Sequence, residues 1–331
     1  VDDVARVPVA EVLAVVTAVL ERHGATPADA AIQAGHLVEG DLRGHPSHGI
    51  RRLPVLVDRL RAGTATSGTE PALAWRSDAL LEVDAGGRLG PVVVHRVLDL
   101  LLPRVAETGI AAATIRDGGH IGMLAPYLER IAAAGAAGIL LSTSEALVHP
   151  WGGTAPLIGT NPIGIAVPAG DDAVILDMST AATPIGRIHD HAARGEPIPL
   201  GWAIDAAGAP TADPAAAVAV SPFGGAKGYA LGLALEALVG VLAGSAFGRD
   251  VRGTLDDHPS TKGDVLLVFA PRSGAAAPLA AYLDEVRGSG AGVAIPGERA
   301  RRERAARTSA GIPLDPGVWR RVLDLRDGVP A

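Results

Sequence analysis

Cysteine is absent from this 331-residue chain, which excludes disulfides, a thiolate metal site and a cysteine nucleophile. Lysine is almost absent: of 29 basic residues only Lys227 and Lys262 are lysine. Asn161 is the sole asparagine and Gln33 the sole glutamine. This skew reflects genome base composition, so each retained Lys or Asn is less readily ascribed to drift. An excess of positive charge is also missing. The net charge of −7 and pI near 5.8 leave no electrostatic footprint for nucleic acid. Apolar runs such as AVILDM and DVLLVFA are too short to span a bilayer. The stretch VDDVARVP lacks the basic and apolar regions of a signal peptide. Finally, no GxGxxG, Walker A, HExxH or GxSxG pattern occurs, so any bound nucleotide is held without the common fingerprints. A cytoplasmic globular protein with no nucleic-acid or membrane partner is the expectation.

What is present is a chain 48% hydrophobic, enough for one large core or two smaller ones. Residues 8–24 carry apolar positions at helical spacing and end at a glycine. TPAD (26–29) offers Thr as N-cap and Pro at N1 for a second helix running to about Arg43. A third helix is expected over GIRRLPVLVDRLRAG, starting near Gly49. From about position 72 short apolar runs alternate with Gly/Pro joints: ALLEVD, IAAATIR, AGILLSTS, PIGIAVP, AVILDMS and GDVLLVFAP read as strands. WAIDAAGAPT reads as a hairpin-type turn. GYALGLALEALVGVLAG (228–244) is apolar all round and predicts a buried helix. After about position 275 the chain turns helical and arginine-rich. The expected architecture is an α/β core over 72–274 beside one discontinuous helical domain from 1–71 and 275–331.

The stretch DLRGHPSHGIRRLP (41–54) crowds two histidines and three arginines around two prolines. Three readings compete. A metal site would use His45 and His48, joined by His120, His149, His189 or His191. Pro46 interrupts a helical H-x-x-H, however, and Arg43, Arg51 and Arg52 oppose a cation. An acid/base centre would place His48 at a helix mouth with Arg52 one turn on. Histidine exchanges a proton near neutrality, and a guanidinium matches a carboxylate bidentately. A solvated helix start is the third reading. Ser47 serves as a cap or a substrate contact, and Arg51 as a surface residue.

These residues resemble the opening motif of the malate/L-lactate dehydrogenase family, the non-Rossmann NAD(P)-dependent ketoacid reductases. GGHIG (118–122), HPWGG (149–153), GTNPIGIAVP (159–168), ILDMST (175–180), GWAIDAAGAPTADP (201–214), GGAKGYALGL (224–233) and IPGER (295–299) follow in family order. Together they cover most of the chain. The resemblance implies an NAD(P)-binding core with a mixed or largely antiparallel sheet, and a homodimer. It implies His48 as proton donor, His120 as its orienting partner and Arg52 as carboxylate clamp. Ser47, Thr160 and Asn161 would meet the substrate. Cofactor contacts would come from Ser142, Ser144, Asp177, Met178, Ser179, Arg187, Lys227, Gly228, Pro296, Gly297 and Glu298, with no metal.

Read without the resemblance, Asn161 before Pro162 is a turn residue and Asp177 a cap. His120 sits in a glycine-flanked turn, and IPGER is a helix start. Lys227 opposes the dipole of the helix it opens, which a bound anion would explain. The sequence also departs from the family. Ser142-Thr143-Ser144-Glu145 replaces a usual Thr-Asn pair, Ile121 an aromatic residue and Arg187 a lysine. The expected reaction is reduction of a small 2-oxo acid, or the reverse, with NAD or NADP unresolved. Arg187 and His189 would either meet a 2′-phosphate or lie on the surface. A cyclic imine reductase of the same family, a histidine-ligated metal hydrolase or lyase, and a non-catalytic binding module are the alternatives.

Overall fold

A computed structural model describes residues 5–329; positions 1–4 and 330–331 of the expected helical domain lie outside the described residues. The helical body begins with strand β1 (Ala5–Val7), α1 (Val9–Arg22) and α2 (Pro27–Leu42). Thr26 caps α2, its hydroxyl accepting from the Asp29 N–H at 3.4 Å, with Pro27 in the first turn. Helix α3 (Leu53–Ala62) follows, and β2 (Ala72–Ser77) and β3 (Leu80–Asp84) then open a sheet.

One boundary differs from the sequence expectation. The third helix starts at Leu53, not near Gly49, and two single 3-10 turns, Pro46–His48 and Ile50–Arg52, precede it. Gly49 between them is extended, with ψ −157°. A Cβ there would stand 2.2 Å from the Asp41 carboxylate, which accepts the Ile50 N–H at 2.8 Å. A buried carboxylate therefore breaks the helix, and the broken segment turns both His48 and Arg52 inward.

The sheet continues with α4 (Gly90–Thr108), β4 (Ile110–Arg116), α5 (Ala125–Ala133), β5 (Ala137–Ser142), β6 (Ile163–Ala169) and β7 (Asp172–Met178). After α6 (Ile185–Arg194) a small antiparallel sheet forms from β8 (Ala203–Ile204), β9 (Pro210–Thr211) and β10 (Ala219–Val220). Helix α7 (Ala226–Ala243) and β11 (Gly263–Phe269) then return to the main sheet. Its strand order is β2-β3-β4-β11-β5-β6-β7. Only β3 and β4 pair in parallel, joined by the crossover helix α4; the other pairings are antiparallel. This is the mixed, largely antiparallel sheet that the resemblance implies.

Helices α4 and α5 bury one face of the sheet, with Leu98, Leu101, Leu128 and Ile131 fully inside. Helix α7 covers the other through Leu235 and Val239. The sequence predicts α7 to be buried all round; its outer face is open instead. Leu233 is 45% and Val241 75% exposed, alongside Leu231, Leu238 and Leu242. The reason is one-sided packing: α7 rests on β11, β4 and β5, and no described element covers its back. By length and composition α7 would also suffice to cross a membrane.

The C-terminal part comprises α8 (Ala276–Gly288), α9 (Glu298–Ala310), β12 (Ile312–Leu314) and α10 (Pro316–Asp327). Leu283 of α8 packs with Ala169 of β6, on the sheet. α10 instead joins the core of α1, α2 and α3 through Val322 and Leu325. The sequence reading missed β12, which pairs antiparallel with β1 and ties the two ends of the chain together.

Candidate active site

The broken segment before α3 sets His48 against the turn that leads from β4 to α5. The His48 and His120 rings stack with centroids 5.6 Å apart and planes 30° apart. Gly90 lets the 119–120 backbone lie against the start of α4, where a Cβ would stand 2.4 Å from the Gly119 and 2.6 Å from the His120 carbonyl oxygen. His120 Nδ1 accepts the Gly122 N–H at 3.0 Å. A neutral His120 therefore carries its proton on Nε2 and presents a donor there. His48 Nδ1 lies 3.1 Å from the Ser47 hydroxyl, which leaves Nε2 free. Ser47 thus orients a histidine and makes no side-chain helix cap.

Burial decides the charge state of this pair. Desolvation first, and then the Arg52 guanidinium, lowers the His48 pKa to about 3. The same two causes hold His120 well below the usual histidine range, with His48 and Lys262 adding to them. Arg52 itself is lowered to about 10 by burial and stays cationic at neutral pH. One Arg52 nitrogen donates to the Thr254 carbonyl. Glu145 anchors the same loop by accepting the N–H groups of Thr254 at 2.5 Å and Leu255 at 2.9 Å.

Two spaces meet at Gly122, which lines both. A small cavity of about 40 Å³ is bounded by Arg52, His120, His36, Gln33, Leu37 and Leu56. A larger cleft of about 540 Å³ runs from His48 and Thr160 past Met178 and Ser179 to Pro296, Gly297 and Arg299. Its size and elongated lining suit a dinucleotide. Asp177 stands in this wall, but its carboxylate accepts the Leu124 and Ala125 N–H groups at 2.8 and 2.9 Å, at the start of α5. Burial raises its pKa, and its charge serves the helix terminus.

The structure brings together His48, His120, Arg52 and Ser47, with Thr160, Asp177, Met178, Ser179, Pro296 and Gly297 along the cleft. It does not bring in every expected contact. Asn161 is fully buried: Oδ1 accepts the Ser144 N–H, and Nδ2 donates to the Gly232 carbonyl and to Glu236 at 2.7 Å. Its side chain holds the wall from behind. Ser144 likewise spends its hydroxyl on Thr160, 3.0 Å away. Ser142 is buried beside Lys262. Glu298 accepts from Arg287 at 2.7 Å and from the Ile295 N–H at 3.0 Å, so its carboxylate is spent on Arg287 and on the segment before its own helix. Lys227 is exposed at the start of α7, outside the cleft lining. Gly228 packs on Phe223, where any Cβ would lie 1.8 Å from a carbonyl oxygen. Arg187 lies over the Trp202 ring at 5.7 Å, and its charge reaches His45.

Several residues were given no role from sequence. Glu236 fixes Asn161, Gly159 and Gly248 from inside α7. Lys262 and Asp264 form an ion pair at 2.5 Å with both side chains 1% exposed. The signal for Lys262 was its rarity; for Gln33 it was being the only glutamine. Among the described residues no three His, Asp or Glu side chains are grouped as a metal site requires.

The family profile described as malate/L-lactate dehydrogenase matches residues 7–323. A malate/(S)-sulfolactate dehydrogenase of Methanothermus fervidus is 33% identical over 317 residues, 93% of this chain and 94% of that protein. A Δ1-pyrroline-2-carboxylate reductase of Pseudomonas fluorescens is 35% identical over 93% of this chain and 95% of its own. The crystal structure of a dehydrogenase from Sinorhizobium meliloti superposes with a TM-score of 0.93 at 47% identity, covering 97% of this chain and 98% of that one.

Proposed function

The chain belongs to the malate/L-lactate dehydrogenase family, whose members here are NAD(P)-dependent dehydrogenases and reductases acting on CH–OH or C=N groups, and from that premise we propose that it reduces a small 2-oxo acid, or oxidises the 2-hydroxy acid. The observation that carries this reading is the stacked His48–His120 pair beside the half-buried Arg52 guanidinium, opening onto a cleft of dinucleotide size. Arg52 holds the substrate carboxylate and so orients the carbonyl. The His120 Nε2–H points a donor at the carbonyl oxygen, and His48 Nε2 delivers the proton to it. When bound, NAD(P)H supplies the hydride that reaches C2. Thr160, Met178, Ser179, Pro296 and Gly297 line the wall that would hold the cofactor.

A cyclic imino acid makes the same demand, a carboxylate beside a reducible double bond. Imine reduction is the second reading, favoured by the likeness to the pyrroline-carboxylate reductase. Titration with NADH and with NADPH, followed by cofactor fluorescence, tests both readings: one cofactor is expected to bind, and well-folded protein that binds neither would remove them. The same proposal includes a homodimer. Its support is the uncharged open face of α7, which runs from Ala230 to Leu242. Sedimentation should give a dimer at micromolar concentration, and a persistent monomer would remove that part.

A further inference from the structure

The small cavity beside Arg52 has a charge inventory that can be read off its walls. Arg52 and Arg59 are the cations. Arg59 is spent: its guanidinium donates to the carbonyls of Asp256 at 2.8 Å, His258 at 2.7 Å and Thr64 at 3.1 Å. Glu145 supplies a negative charge that faces both arginines while it clamps the Thr254–Leu255 loop. Lys262, behind His120, is neutralised by Asp264. His36 lies with Nε2 on the Met123 carbonyl at 3.0 Å, and burial keeps its ring uncharged at neutral pH. Gln33, 4% exposed, is an uncharged amide with no hydrogen-bond partner among the described residues. The remaining side chains are mostly aliphatic, Leu37, Val55, Leu56, Ala65 and Leu89, with Thr254, whose hydroxyl donates to Glu145, and four glycines between them.

The Asp256, Glu145 and Asp257 carboxylates face the Arg59 charge, so Arg52, bonded to the Thr254 carbonyl alone among the described residues, is the wall cation with donors left for a ligand. A substrate carboxylate consumes them. A second anionic group on the same molecule would enter a buried space with no free cation and with Glu145 nearby, and an unpaired buried charge is strongly disfavoured. The space is also short, with room for about three water molecules.

Resting on the oxidoreductase reading above, we infer that this site takes a monocarboxylate with a short uncharged tail, and that Glu145 and Gln33 make it refuse 2-oxo diacids and 2-oxo sulfonates. Arg52 takes the carboxylate, the tail enters the aliphatic cavity, and Gln33 offers a neutral hydrogen bond to its end. Malate and sulfolactate, the substrates in the names of two relatives, each carry a second anionic group.

The test compares kcat/KM for 2-oxobutanoate and Δ1-pyrroline-2-carboxylate with that for oxaloacetate and 3-sulfopyruvate, using whichever reduced cofactor binds. The better neutral-tailed compound should exceed both dianions by on the order of 100-fold. Glu145→Gln should narrow that gap roughly tenfold by removing the like charge. If this variant fails to fold, the wild-type ratio still decides. A dianion turned over as well as, or better than, the neutral-tailed compounds overturns this inference and leaves the reductase reading standing. Cofactor binding with no reduction of any of the four compounds overturns both.

Discussion

His48→Ala is expected to lower kcat by about 10²- to 10⁴-fold, the range for removing a positioned general acid, and to leave NAD(P)H binding largely intact. The geometry gives the reason. Ser47 occupies Nδ1 at 3.1 Å, so Nε2 is the only ring atom that can serve the substrate. The His120 tautomer is fixed by the Gly122 N–H, which makes His120 a hydrogen-bond donor at Nε2. In the free protein His48 is neutral, its pKa lowered to about 3 by burial and then by Arg52. A substrate carboxylate on Arg52 offsets the guanidinium charge, the second of these causes, so binding shifts the ring toward its protonated form. The sign follows: reduction requires the protonated ring, so its kcat/KM falls as pH rises. Oxidation uses neutral His48 as base and is favoured by the same rise. In His48→Ala both dependences should flatten. Normal turnover in that variant, with a large loss in His120→Ala, would transfer the donor role to His120.

The second large effect is at Arg52. Arg52→Lys should raise KM by roughly 10- to 100-fold, the worth of a charge-assisted hydrogen bond, with a smaller change in kcat. Lysine keeps the charge and loses the planar fork, so the carboxylate is still attracted and no longer held at a fixed angle. Arg52 also touches the Thr254 carbonyl, so a melting curve should accompany the kinetics. A raised KM at unchanged Tm isolates the clamp, whereas an unchanged KM would take Arg52 out of the site.

Much of this molecule is local in origin, and local features can be read from sequence. The Thr26 cap, Pro27 and the Asp315 cap, which accepts the Val318 N–H at 2.9 Å, each act within one helical turn. The apolar runs that became β4 to β7 carry their own strand signal. Non-local decisions were not legible. Placing β11 between β4 and β5 joins segments more than 100 residues apart, and no local pattern encodes the choice. The helix break at Gly49 depends on a carboxylate eight positions earlier, folded under it.

The site divides along the same line. Sequence alone determined the residue types and their order: a histidine and an arginine four apart, a second histidine between glycines, and the motifs that placed the chain in its family. Tertiary structure decided which of them face the cleft. Asn161 and Glu298 carry suggestive positions in their motifs, yet one is consumed by Glu236 and the other by Arg287, partners no motif names. It also decided the charge states. A histidine near neutrality in a sequence becomes a ring lowered to about 3 only when burial removes its water and a guanidinium is packed beside it. Chemistry is written in the side chains, but solvation and neighbours exist only once distant segments have met.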